Sequence, residues 1–184
     1  MRTLLNLGCF QCTWLVTVFG AASGRVWPGV VALAISIAVQ SAPRVPVRLP
    51  SMGLLVISLA IGLAVDSALV LAKLISFPEQ ALAGWPPPVW MSVLWINFAT
   101  TLDESLAWAG ERQIVAALAG AAGGPLTYLA GQSAGVVRLE SGPGAVVALA
   151  ILWALVFPTL AALAKSLRSR ALSAGRLAPE GRAP

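Results

Sequence analysis

Apolar residues run through this chain in blocks long enough to cross a bilayer as helices, separated by short stretches of proline, glycine and charge. The blocks predict helices over about 3–22, 26–42, 51–76, 88–109, 114–135 and 145–164. Gly24 and Arg25 make a tight reversal after the first. The second opens on Trp27 and Pro28, an interfacial aromatic beside a helix-initiating proline. It closes on PRVPVRLP, where three prolines forbid helix. PEQALAGWPPP reads as a non-helical hairpin with Trp85 at an interface, and VRLESGPG as a loop. Gly20 to Ser23 resemble a signal-peptidase site, but Asn6 and Gln11 interrupt the preceding apolar run and everything after it is membrane-like, so the first block reads as a retained span.

Polar positions inside the blocks fall on stripes. Asn6, Cys9, Thr13 and Thr17 share one side of the first helix, which gives it a protein-facing side. Ser58, Gly62, Asp66, Lys73 and Ser76 share one side of the third, with Lys73 snorkelling toward the outer interface. In WMSVLWINFATTLDESLAW, residues 90–108, a helical projection lines up Trp90, Asn97, Thr101, Glu104 and Trp108, flanked by Thr100 and Asp103. Met91, Trp95, Phe98, Leu102 and Leu106 lie opposite, a face for lipid or packing. On this projection Glu104, rather than Asp103, looks inward. In AGAAGGPLTY, Gly120, Gly123 and Gly124 allow close backbone approach, and Gly123, Gly124 and Pro125 mark a kink or break in the fifth helix. Tyr128 and Gln132 lie on the same side as Pro125.

Composition turns these blocks into a class. The chain has 184 residues, 58% hydrophobic and 10% charged, with a mean hydropathy of +0.85, far below the roughly 25% charged residues of a soluble domain. The fold expected is therefore all-α: a polytopic membrane protein, a single bundle of six transmembrane helices over residues 1–166, followed by a basic tail, 167–184, too polar for a core and expected to be disordered. The net charge of +5 sits at block ends, which reads as topology and not as a nucleic-acid surface. With both termini in the cytoplasm, Arg2, Arg44, Arg48, Arg112, Lys165, Arg168, Arg170, Arg176 and Arg182 lie inside against Arg25 and Arg138 outside. There is no histidine, and the two cysteines, Cys9 and Cys12, read as packing residues on one side of the first helix. A metal site of Cys and His is excluded, and no cofactor is expected.

Asp103 and Glu104 carry the candidate chemistry. An acid at a helix centre costs about 2.5 kcal/mol or more on insertion scales, against roughly −0.3 to −0.6 for each apolar residue, so the pair needs protein or water around it. The expectation is a small polar cavity enclosed by the third, fourth and fifth helices and lined by Glu104, Asp103, Asn97, Thr101, Asp66, Tyr128 and Gln132, which binds or passes a small solute or a proton. A second reading is a non-transporting accessory that packs on another membrane protein, a lipid enzyme or a second copy of itself. A membrane-embedded lipid enzyme is disfavoured, since the chain has no histidine base, G-x-S-x-G, P-loop or zinc motif.

Three separated stretches, NLGCFQCTWLVTVFGAA, PPVWMSVLWINFATTLDESLAW and AGAAGGPLTYLAGQSAG, resemble in order and spacing the bacterial inner-membrane family catalogued as domain of unknown function 2878. The resemblance covers nearly all of the chain up to the basic tail. It implies a multi-pass inner-membrane location and an accessory role in membrane-lipid chemistry, and it names no substrate.

Overall fold

A computed structural model describes residues 1–43, 47–78 and 86–177. Arg44, Trp85 and Arg182, read above as topology or interface markers, lie outside the described residues. The apolar blocks form α1 (Arg2–Ala22), α2 (Trp27–Gln40), α3 (Met52–Leu71), α4 (Val89–Ala99), α5 (Gln113–Ser133) and α6 (Pro143–Leu177). Of these, α1, α3, α5 and the Pro143–Ser173 part of α6 are long and apolar enough to cross a membrane, whereas α2 and α4 are apolar but shorter.

Local chemistry sets most boundaries. After α1, Gly24 takes a φ of +67°, and the Arg25 N–H returns to the Gly20 carbonyl at 2.8 Å, a left-handed stop that glycine adopts without strain. Pro28 lies in the first turn of α2. Ser51 caps α3, its hydroxyl accepting from the Leu54 N–H at 3.3 Å. That helix stops at Leu71, short of the expected Ser76: Lys73 adopts a φ of +55°, and Ile75–Ser76 (β1) pair antiparallel with Arg138–Leu139 (β2) in the loop before α6. A two-residue pairing is too short to leave a periodic signal.

Three expectations are corrected. The fourth block is helical only in its first half. Thr100 and Thr101 turn their hydroxyls back onto the Asn97 and Phe98 carbonyls at 2.7 and 2.6 Å, and Asn6 of α1 takes the Thr100 carbonyl at 3.0 Å, so α4 ends at Ala99. Turns and a short 3-10 helix, Ala107–Gly110, complete the block. Pro125 sits in an uninterrupted α5, because tight packing on α6 supports the segment where one backbone bond is missing. Finally, α6 continues to Leu177 through good helix formers, so the first part of the expected tail is helical; residues 178–184 lie outside the described set.

Packing pairs α1 with α2, α3 with α4 and α5 with α6, and α4 also rests on α1. The buried apolar residues form two clusters. One lies near Leu69, Phe77, Trp90 and Tyr128, the other around Leu54, Trp95, Leu102, Phe157 and Leu160.

Candidate functional site

The stripe on α3 grips one tryptophan of α4. Ser58 donates its hydroxyl to the Trp95 carbonyl at 3.2 Å, and a Cβ on Gly62 would stand 2.1 Å from Trp95 Cδ2, so the indole lies directly on the glycine. Trp95 Nε1 donates to Asp66 Oδ2 at 2.8 Å, and the Tyr128 hydroxyl of α5 donates to Oδ1. Asp66 is fully buried, and both of its donors are neutral. A buried carboxylate is costly unless its lone pairs are met; here an indole and a phenol meet them.

Trp95 in turn stacks on Trp153 of α6, centroids 5.2 Å apart and planes 4° from parallel. Trp153 lies across α5, where a Cβ on Gly124 would come within 2.1 Å of its ring and one on Gly120 within 2.3 Å of its carbonyl oxygen. Two glycine slots thus hold a stacked indole pair edge-on between α3 and α5. Close approach is what those glycines were expected to provide, and Gly120 and Gly124 provide it.

This aromatic pair is one wall of a cavity of about 280 Å³. Phe10 and Trp14 of α1, Met91 and Phe98 of α4, Leu106, Trp108, Gly123 and Thr127 contribute most of the rest. Its volume is near the lower end for small-molecule sites, and its surface is almost entirely apolar.

The other predicted residues are placed elsewhere, in separate hydrogen-bonded groups, because the acids follow the end of α4 and leave its axis. Asp103 is buried and paired with Arg168 of α6 at 2.9 Å. Glu104 is half-buried and accepts from the Arg48 backbone N–H at 3.1 Å. The projection that turned Glu104 inward and Asp103 aside is therefore reversed. Thr101 is buried and bonded back to α4. Asn97 is buried, donates to the Phe10 carbonyl at 3.0 Å and leaves its Oδ1 without a partner among the described residues. Gln132 is exposed and accepts from the Leu139 N–H at 2.9 Å, tying the end of α5 to β2. Of the predicted set, only Asp66 and Tyr128 meet.

A second buried polar group centres on Asn6. Its Nδ2 donates to Gln40 Oε1 at 2.6 Å and to the Thr100 carbonyl, while its Oδ1 accepts from the Ser105 hydroxyl and, at 3.3 Å, from the Ser105 N–H. Gln40 passes the chain on to Ser36 at 2.9 Å. Asn6 stood on a recognised stripe, but Gln40 and Ser105 carried no periodic signal. Trp95 was assigned to the opposite, lipid-or-packing face; the one hint of its role was an indole N–H that needs a partner when buried.

Comparison with curated proteins and with solved structures gives no match. Residues 3–159 match the family described as a protein of unknown function (DUF2878), and over that span, most of its length, the chain belongs to that family.

Proposed function

We propose that this is a multi-pass protein of the bacterial inner membrane, with six spans and both termini in the cytoplasm, which binds a small apolar ligand inside its helix bundle. The supporting observation is the aromatic cavity itself. Its volume is large enough for a ligand, and its wall of stacked indoles is fixed by two glycine slots and the Asp66 hydrogen bonds. The topology is supported by chain direction: Arg2 opens α1, Arg48 and Arg112 precede α3 and α5, and Lys165, Arg168 and Arg170 lie toward the end of α6, which gathers these charges at one end. Arg25, Lys73 and Arg138 fall at the other. Binding is favoured over proton passage because the acids are each satisfied in separate groups and none lines the cavity.

The test uses bromobenzene, whose bromine quenches tryptophan fluorescence, titrated into protein held in lipid nanodiscs. A saturable quenching component is expected in the native chain and lost in Gly123→Phe, since Gly123 lines the cavity and a Cβ there meets nothing within 4 Å. Quenching that is linear and identical in both proteins overturns the reading and leaves the accessory role.

A further inference from the structure

The cavity has a shape and a mouth. On α5 its lining runs from Ala119 to Tyr128, nine steps at about 1.5 Å, so it is about 13 Å long. A space of that length, almost entirely apolar, suits an extended hydrocarbon chain better than a compact ring.

The mouth opens sideways. α1 packs on α2 and α4, and α5 on α6, which leaves a cleft between α1 and α5 lined by Phe10, Gln11, Trp14, Leu126, Thr127 and Ala130. Phe10, Trp14 and Thr127 also line the cavity, so the cleft lies directly against it at these side chains. Leu126 at the rim is 64% exposed, which makes the mouth continuous with the outward apolar surface of the bundle.

Gln11 is the anomaly at this mouth. It is exposed, makes no side-chain hydrogen bond among the described residues, and lies near the middle of α1, about 14 Å from its start and about 16 Å from its end. An amide turned toward hydrocarbon with no partner is costly, and a ligand that offers both a donor and an acceptor removes that cost. Thr127 stands across the cleft, its hydroxyl donating to the Gly123 carbonyl at 3.0 Å and its oxygen still able to accept. A phospholipid headgroup does not reach this depth, whereas a small uncharged head does.

Resting on the reading of the cavity as a ligand site, we infer that its occupant is a single-chain neutral lipid with a hydroxyl head, such as a long-chain alcohol. It enters laterally between α1 and α5, with its chain along the indole pair and its head at Gln11 and Thr127.

The experiment compares two photoreactive probes in nanodiscs: a fatty alcohol and a phosphatidylcholine, each with a diazirine near the methyl end of a chain. Labelled residues are mapped by peptide mass spectrometry. The alcohol is expected to label Leu106 and Phe157 inside the cavity, and the phosphatidylcholine only outward residues such as Leu15 and Leu118. Gly123→Phe and, independently, Thr127→Trp remove the internal label, and Gln11→Leu weakens it about fivefold through one lost hydrogen bond. Equal internal labelling by both probes, or an unchanged label in Gln11→Leu, overturns the assignment of the head. No internal label from the alcohol, with saturable bromobenzene quenching intact, overturns the chain while leaving the cavity reading in place. Loss of both removes both.

Discussion

The polar groups around Asp66 and around Asn6 are both fully buried, yet they hold opposite kinds of backbone. Around Asp66, three regular helices are brought together by small residues, and the hydrogen bonds run between aromatic side chains and one carboxylate. Around Asn6, a single amide spends its capacity on a helix end and the turns after it, satisfying the Thr100 carbonyl and the Ser105 N–H that a continuing helix would have satisfied itself. The first group shapes a surface between helices. The second licenses a break in one. The contrast explains why one wall of the cavity is built from the regular helices α4 and α5, while its far end, at Leu106 and Trp108, is made by the turns and short 3-10 helix fastened to α6 through Asp103 and Arg168.

Substitutions separate the two regions. The largest effect is expected for Gly62→Ala, which drives a methyl into the Trp95 ring at 2.1 Å and leaves the indole no way to shift without losing Asp66. A loss of about 3 kcal/mol, the upper end for overpacking, should appear as a lowered thermal midpoint by circular dichroism in detergent. An unchanged midpoint would mean that the indole is not seated on α3.

Next comes the direct comparison of Asn6→Leu with Tyr128→Phe. The first strands Gln40, the Thr100 carbonyl and Ser105 together and should cost about 2–3 kcal/mol; the second leaves Asp66 its indole donor and should cost about 1 kcal/mol. Hydrogen exchange sharpens the distinction: only Asn6→Leu should speed exchange across residues 100–110, and acceleration there in Tyr128→Phe would show the two groups to be one network.

The ion pairs that fasten the broken segment supply the last comparison. Arg168→Ala leaves a buried Asp103 unpaired and should cost about 1–2 kcal/mol, between the values for exposed and fully buried pairs. Lys165→Ala removes an exposed pair with Glu111 and should fall below about 0.5 kcal/mol. Equal costs measured by urea titration would remove burial as the difference between them.

Much of the fold was legible in the chain. Hydrophobic block length placed α1, α3 and α5 within a few residues at most ends, because a helix in an apolar medium satisfies its own backbone and length alone fixes it. Of the glycines expected to allow close approach, Gly120 and Gly124 do so and Gly123 does not, and the stripe through Ser58, Gly62 and Asp66 showed which side of α3 faces inward. The site was less legible. A projection of residues 90–108 assumes an unbroken helix, and nothing local to that stretch reports that Asn6, nearly a hundred positions earlier, takes the Thr100 carbonyl.

By itself the sequence determined the helical blocks, their apolarity, the charge asymmetry and the faces that carry small and polar residues, since these depend on spacing along one helix. Only the tertiary structure decided which donor meets which acceptor. It chose packing over lipid for Trp95 and set its indole on Asp66, moved Asp103 inward and Glu104 aside, and made the cavity apolar where a polar one was expected. The physical reason is that a buried polar atom must be satisfied by whatever lies within hydrogen-bond reach, and reach is set by how helices pack rather than by their order in the chain.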